Sequence, residues 1–203
     1  MADIIKLISR KISVNNKVKD FFNDVAKTYV HEENEIMDKL LNSLNLSDYK
    51  RILDLGAGKG IISNKLQMLS NDGEVIGLDI SEKMIEFAMA NNTNEKVKFV
   101  LGDFYEYNPQ EKFDAIVCFD AFPHFLDVDL FNKKNFELLN EGGMLAIIHD
   151  IGRDQLNTHH MQNALRVSRP LEPPLKEAEK FINRFQIIEA DEGDNYYKLI
   201  LKK

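Results

Sequence analysis

Ile52-Leu53-Asp54-Leu55-Gly56-Ala57-Gly58-Lys59-Gly60-Ile61-Ile62 is the stretch whose reading decides the fold. Its first residues read as a strand that delivers Asp54 near its carboxyl end, and three glycines on alternate residues then turn the chain into a helix. Glycine suits such a turn because a backbone without Cβ takes positive φ and lets a ligand approach the main chain closely. Spacing narrows the ligand. The dinucleotide pattern G-x-G-x-x-G, counted from Gly56, requires glycine or alanine where this chain has Ile61. Asp54, two residues before the first glycine, would repel a pyrophosphate and attract a cation.

Working outward, apolar strand-like runs alternate with helix-like segments, the pattern of an α/β protein with a largely parallel sheet. Strands are expected at Arg51–Leu55, Glu74–Asp79, Val97–Leu101, Phe113–Phe119 and Met144–His149, and helices near Ile61–Leu69, Glu82–Asn91 and Asp129–Leu139. Strands this apolar belong in the middle of a sheet covered on both faces. Toward the carboxyl end, Asp150–Val167 reads as a helix, Arg169-Pro170-Leu171-Glu172-Pro173-Pro174 breaks it, and Leu175–Asn183 forms another. Phe185–Ala190 and Tyr196–Lys202 flank the turn Asp191-Glu192-Gly193-Asp194-Asn195 and should form an antiparallel hairpin. Residues 1–48 carry helical spacing, as in Ile36, Leu40, Leu41 and Leu44, and precede the first strand as a cap. With no internal repeat and no linker, residues 1–203 read as one domain.

Composition bounds the alternatives. With 26 Lys and Arg against 33 Asp and Glu the formal charge is −7, and 44% of the residues are hydrophobic, which excludes disordered and low-complexity classes. A lone cysteine, Cys118 in the apolar run Ala115-Ile116-Val117-Cys118-Phe119, excludes a disulfide scaffold and reads as a reduced, buried thiol. No stretch has the roughly 18 consecutive apolar residues of a membrane span, and Met1-Ala2-Asp3-Ile4-Ile5-Lys6 lacks the basic start of a secretion signal, so the expected location is the cytoplasm. The acidic balance argues against a nucleic-acid partner. Lys6, Arg10, Lys11, Lys17 and Lys19 make the first twenty residues or so locally basic, which a solvated helix face explains. The expected state is a monomer or homodimer.

Two further strands end in acids. Val75-Ile76-Gly77-Leu78-Asp79 places Asp79 where a ribose diol would find a paired acceptor, and Phe99-Val100-Leu101-Gly102-Asp103-Phe104 places Asp103 for an adenine amino group, with Phe104 against the ring. A ligand carrying an ammonium group, a sulfonium centre, a ribose and an adenine meets all three acids, and S-adenosyl-L-methionine (SAM) has these groups. A nicotinamide-dependent oxidoreductase shares the acid after the second strand, but Ile61 and Asp54 speak against it. A non-catalytic SAM-binding protein is the other alternative.

The chain resembles the class I SAM-dependent methyltransferases, in particular the small-molecule group that includes quinone-biosynthesis methyltransferases. The likeness rests on Ile52 to Gly60, on Gly77-Leu78-Asp79-Ile80-Ser81, on Gly102-Asp103-Phe104, on Phe113 to Val117, and on Leu139-Asn140-Glu141-Gly142-Gly143-Met144-Leu145. It implies a Rossmann-like, doubly wound seven-stranded sheet of order 3-2-1-4-5-7-6, with strand 7 antiparallel and helices on both faces. It also implies transfer of the SAM methyl group to a small molecule, leaving S-adenosyl-L-homocysteine (SAH). Cofactor-binding positions follow as Asp54, Gly56, Ala57, Gly58, Asp79, Ile80, Asp103, Phe104 and Phe119, the last through its backbone carbonyl. Phe21-Phe22-Asn23-Asp24-Val25-Ala26-Lys27-Thr28-Tyr29 resembles the cap of that group, which would bring Phe22 to the acceptor and Tyr29 over the methionine end of SAM. The same spacing suits plain core aromatics of an amphipathic helix. After strand four the chain reads Phe119-Asp120-Ala121-Phe122-Pro123-His124, where quinone-biosynthesis enzymes carry an arginine-asparagine pair, and the Asn/Asp-Pro-Pro-Tyr signature of nucleobase amino-group methylation is absent.

In an open parallel sheet the ligand lies beyond the carboxyl ends of the strands. Residues after strands four and five should then face the acceptor, among them Asp120, His124 and His149, with residues 150–174 as a helical insert beside the pocket. His124 and His149 are the candidate bases for an acceptor that carries a proton, and each is also the kind of residue that makes a structural hydrogen bond. Arg153, Asn157 and His160 are spaced four and three apart, share one helix face, and are candidate substrate contacts. Asp120, His124, His149 and His160 are residue types that zinc takes, but their spacing matches no recognised metal motif, and no metal is expected.

Overall fold

The computed structural model describes residues 15–203. Residues 1–14 of the expected cap, with Lys6, Arg10 and Lys11, lie outside them. Strands β1 (Arg51–Leu55), β2 (Glu74–Asp79), β3 (Val97–Leu101), β4 (Phe113–Phe119), β5 (Leu139–His149), β6 (Gln186–Gly193) and β7 (Tyr196–Lys202) form one sheet. Its order is β3-β2-β1-β4-β5-β7-β6, as the resemblance implied. The pairs among β1 to β5 are parallel, and β7 runs antiparallel to both β5 and β6.

The helical stretch over residues 15–25 (α1) is followed by α2 (Glu35–Ser43), α3 (Ser63–Leu69), α4 (Glu82–Asn91), α5 (Val128–Leu138), α6 (Arg153–Asn163) and α7 (Pro174–Ala178). Strand alternation divides the core in two. Along β4, Ala115, Val117 and Phe119 join a cluster that includes Met37, Leu40 and Leu41 of α2 and Leu66 of α3. Ile116 and Cys118 point to the opposite face, against Phe131 of α5, Leu156 of α6 and Ala178 of α7. Side chains at alternate positions are thus buried on both faces, which is why these strands read as unbroken apolar runs.

Several boundaries differ from the sequence expectations. Helix α3 starts at Ser63 rather than Ile61 because Gly58 and Gly60 hold φ of +53° and +79°, which keeps the backbone in a turn until residue 62. Strand β5 begins at Leu139, which pairs with Phe113 before a register shift, and Gly142 at φ +74° carries the irregularity. Helix α6 begins after Gly152 and stops at Asn163, and α7 ends at Ala178, each shorter than the periodicity suggests. The terminal hairpin closes on two residues, Asp194-Asn195, because Gly193 and Tyr196 are already paired.

Candidate active site

Strand order reverses between β1 and β4, and there, beyond the strands' carboxyl ends, lies a cavity of about 400 Å³. The glycine turn forms one wall. Backbone N–H groups of Gly56 and Ala57 donate to the Leu78 carbonyl at 2.9 and 3.1 Å, and Gly60 N–H donates to Ala57 at 2.8 Å, so β1 and β2 brace the loop. A Cβ on Gly56 would come within 2.6 Å of Ala121 Cβ, and one on Gly60 within 2.5 Å of the Phe99 ring. Gly58 differs, since nothing lies within 4 Å of its would-be Cβ, and it lines the cavity. The space beside Gly58 is therefore open to a ligand.

Three strand-end acids line the same cavity. Asp54 is 1% exposed and accepts a hydrogen bond from Ser63 Oγ at 2.5 Å. Burial pushes its carboxyl up to about 7, with the nearby Asp79 adding to the rise and the Ser63 bond opposing it. Asp79 takes backbone N–H groups from Ser81 at 2.8 Å and Gly58 at 2.9 Å. Burial outweighs these bonds, so its pKa also lies above the usual carboxylate range. Asp103 accepts from Tyr105 N–H at 2.9 Å and from the Asn15 side-chain amide of α1.

Ala57, Ile80, Phe104 and Phe119 complete this end of the cavity. Phe104 is mostly buried in an aromatic cluster, its ring 5.5 Å from Phe125 and 5.6 Å from Phe131. The segment between α1 and α2 crosses above. Tyr29 lines the cavity while its carbonyl receives Lys59 Nζ at 2.7 Å, which ties this segment to the glycine turn.

On the far side of Phe119 the cavity is aromatic and histidine-rich. Phe22 sets its edge against His124 at 4.8 Å, perpendicular to it. His124 donates Nδ1–H to the Val167 carbonyl at 2.9 Å, since a carbonyl can only accept, and the ring's Nε2 then carries the lone pair. Burial lowers its pKa to about 4, so the ring is neutral at pH 7. Asp120 also lines the cavity, at a left-handed φ of +51°.

The structure does not bring every expected residue to the cavity wall. His149 is wholly buried behind Asp120, with Nδ1 3.1 Å from Asp120 Oδ1, and does not line the cavity. Arg153 and Asn157, the expected substrate contacts, do not line the cavity either. Helix α6 docks on the terminal hairpin, where the Asp194 carbonyl leaves no room for a Cβ on Gly152. From there Arg153 pairs with Glu192 at 2.8 Å and with Asp154, and Asn157 holds both peptide groups of Leu171, at 2.8 and 2.9 Å. His160 also stands outside the wall, packing its ring 5.0 Å from His124, and burial lowers its pKa to about 3.

Sequence reasoning missed His31. It lines the cavity, with Nε2 3.1 Å from Asp150 Oδ2 and Nδ1 3.5 Å from Asp120 Oδ2. The Asp150 contact raises the His31 pKa against the opposing effect of burial. Its signal was its place two residues beyond Tyr29, since alternate residues of an extended segment share a side.

The architecture and the strand-end acids around a glycine turn define a SAM-type methyltransferase fold. The profile of the Methyltransferase domain family matches residues 46–200, and the chain belongs to that family. It is 28% identical over 192 residues to the malonyl-(acyl-carrier protein) O-methyltransferase 1 of Ilyobacter polytropus, covering 87% of this chain and 69% of that one. To the ubiquinone biosynthesis O-methyltransferase of Pelagibacter ubique it is 26% identical over 160 residues, 66% of this chain and 65% of the relative. Magnesium protoporphyrin IX methyltransferase of Synechocystis PCC 6803, solved with bound SAH, superimposes with a TM-score of 0.65 at 19% identity, over 93% of this chain and 98% of that one. The chain spans about half the length of several curated relatives it matches. No helix among the described residues is long and apolar enough to cross a membrane.

Proposed function

We propose that the chain transfers a methyl group from SAM to a small-molecule acceptor and releases SAH. The observation that carries this reading is the single cavity onto which Asp54, Gly58, Asp79 and Asp103 all open at the strand ends. Asp79 would accept the ribose hydroxyls, and Asp103 the adenine amino group in place of the Asn15 amide. Gly56, Ala57 and Gly58 let the ligand lie against the main chain, and Ile80 and Phe104 flank the base. Asp54 and the Phe119 carbonyl would hold the cationic methionine end, with Tyr29 above it. Bound there, SAM supplies a methyl carbon already activated by its sulfonium.

The protein's task is then to align the acceptor with that carbon and keep water away, which can supply roughly 7–11 kcal/mol of the barrier. Phe22, Asp120 and the aromatic wall shape the acceptor end. His124 is the candidate base, because it faces the cavity as a neutral ring whose Nδ1–H is already committed to Val167. His149 acts at one remove, as a positioning residue behind Asp120.

Titration calorimetry with SAM, SAH and NAD tests the reading. SAM and SAH should bind one per chain and NAD should not. Asp79→Ala should weaken SAM by removing the ribose contact, and Gly58→Ala should do so by placing a methyl group in the open space beside the loop. Wild-type SAM affinity in both variants, or NAD binding in preference to SAM, would overturn the assignment.

A further inference from the structure

The mouth of the cavity holds a cluster of which the methyl-transfer reading uses only Asp120, as part of the acceptor wall. His31, Asp120 and Asp150 each offer one ligand atom, and the three atoms lie within 4.8 Å of one another. Ligands bound at about 2.0–2.2 Å to one ion stand about 3–4.4 Å apart, so the three atoms need to close by no more than a few tenths of an ångström to share a cation. Three elements of the fold converge to make it: the segment ahead of α2 gives His31, the end of β4 gives Asp120, and the end of β5 gives Asp150.

A second observation points to a ligand at the same place. Oδ1 of Asp120 and both ring nitrogens of His149 are buried, and none of the three makes a hydrogen bond. His149 is 0% exposed, and its Nδ1 faces Asp120 Oδ1 at 3.1 Å, an ion-pair distance without hydrogen-bond alignment. Buried polar atoms without a hydrogen bond are costly, and these three are concentrated on Asp120 and the ring behind it, where a cation held by Asp120 would satisfy the carboxylate. The supporting contacts have the form seen around metal ligands, since the Asn34 amide donates to Asp150 while Asn34 Oδ1 caps α2 at 2.8 Å.

We propose that His31, Asp120 and Asp150 bind a divalent first-row transition cation at the acceptor mouth, with His149 orienting Asp120 from behind. One imidazole with two carboxylates is a mixed set suited to Zn(II), Mn(II), Co(II) or Fe(II) rather than to Mg(II) or Ca(II), which favour all-oxygen shells. Two carboxylates match the charge of the ion. His31 and Asp120 line the cavity whereas Asp150 does not, so the protein closes one side of the ion and leaves its open positions toward the acceptor. Resting on the methyltransferase reading, this narrows the acceptor class to molecules that present a hydroxyl or carboxylate oxygen, which the cation would bind and make more acidic.

The test uses the whole chain, stripped with a chelator and then titrated with Zn(II) by calorimetry and with Co(II) by visible absorption. One ion per chain should bind, with Co(II) bands indicating mixed nitrogen and oxygen ligation. His31→Ala and Asp150→Asn should each weaken Zn(II) at least about tenfold, the scale of losing or disordering one contact. Circular dichroism and the urea midpoint establish that the variants fold, and Asp150→Asn preserves side-chain shape if His31→Ala does not fold. Absence of binding overturns the site, as does binding that both folded variants retain undiminished, which would place the ion at exposed side chains. SAH calorimetry on the wild type separates the two claims: SAH binding without Zn(II) removes the cation alone, whereas Zn(II) binding without SAH removes the cofactor assignment and leaves the metal site.

Discussion

Replacing Asp54 by asparagine should make the unliganded protein more stable at neutral pH while weakening its hold on SAM. Asp54 sits at 1% exposure with one neutral donor, Ser63 Oγ, and burial raises its carboxyl to about 7. In the unfolded chain the same group titrates near 4. Between these values the folded protein retains a proton that the unfolded chain has lost, so folding takes up a proton and stability falls as pH rises. The loss begins near pH 4 and is complete above pH 7. At about 1.4 kcal/mol per pH unit it amounts to about 4 kcal/mol. The amide of the Asp54→Asn variant would keep the size of the side chain and can still pair with Ser63, but it carries no charge to desolvate. Urea unfolding without SAM from pH 4.5 to 8.5 should therefore show two curves that meet at the acid end and diverge toward pH 8. There the variant should gain about 4 kcal/mol, or roughly 10 °C in Tm. Because every other titrating group is common to both proteins, their difference reports the Asp54 charge together with its coupling to Asp79. SAM affinity should move the other way, by about tenfold or more, for loss of one opposing charge. Parallel pH curves, or a variant less stable than wild type at pH 8, would refute the electrostatic account.

Further expectations follow from other buried contacts. Glu177 is fully buried, and although burial raises its carboxyl, the paired guanidinium of Arg169 holds it below the usual range, with contacts at 2.6 and 3.2 Å. Glu177→Gln should cost about 3 kcal/mol in urea unfolding by stranding Arg169. In the wild type this contribution should be present above the ordinary Glu value near 4.5 and be lost as pH falls through the depressed one, so an effect under 1 kcal/mol would refute the pairing. Gly60→Ala should destabilise more than Gly58→Ala: both hold positive φ, costing about 1–2 kcal/mol, but only position 60 drives its new methyl into the Phe99 ring. Equal urea midpoints for the two would refute the packing argument. Burial pushes the Cys118 thiol up, so Ellman's reagent should label it only at the rate of unfolding, and rapid native labelling would contradict its place in the core.

The sheet was legible because its strands are buried on both faces, which writes continuous apolar runs such as Phe113 to Phe119 into the sequence. The gathering of the three acids at one cavity was legible for a related reason. Asp54, Asp79 and Asp103 stand at strand ends in a parallel sheet, so their positions along the chain convert directly into a shared edge in space. Arg153, Asn157 and His160 show where that conversion stops. Helical spacing does place them on one side of α6, but it does not say what that side meets, and Gly152 against Asp194 sets the helix on the hairpin. Periodicity determines which residues share a face, and only packing determines where the face points.

His31 presents the opposite problem. Its place two residues beyond Tyr29 is its only local signal, since its partners in the fold are two acids, Asp120 and Asp150, that are far away in the chain and meet it only after the sheet has formed. The segment carrying it is held at both ends by contacts of the same kind, Lys59 on the Tyr29 carbonyl and the Asn34 amide on Asp150. The roof over the cavity therefore depends on the strand ends beneath it. A charge change at Asp150 should loosen the roof while leaving the sheet intact, because Asp150 follows β5 and its side chain bonds upward to His31 and Asn34. Roof order should therefore be separable from the integrity of the sheet, since it draws on Asp120 and Asp150.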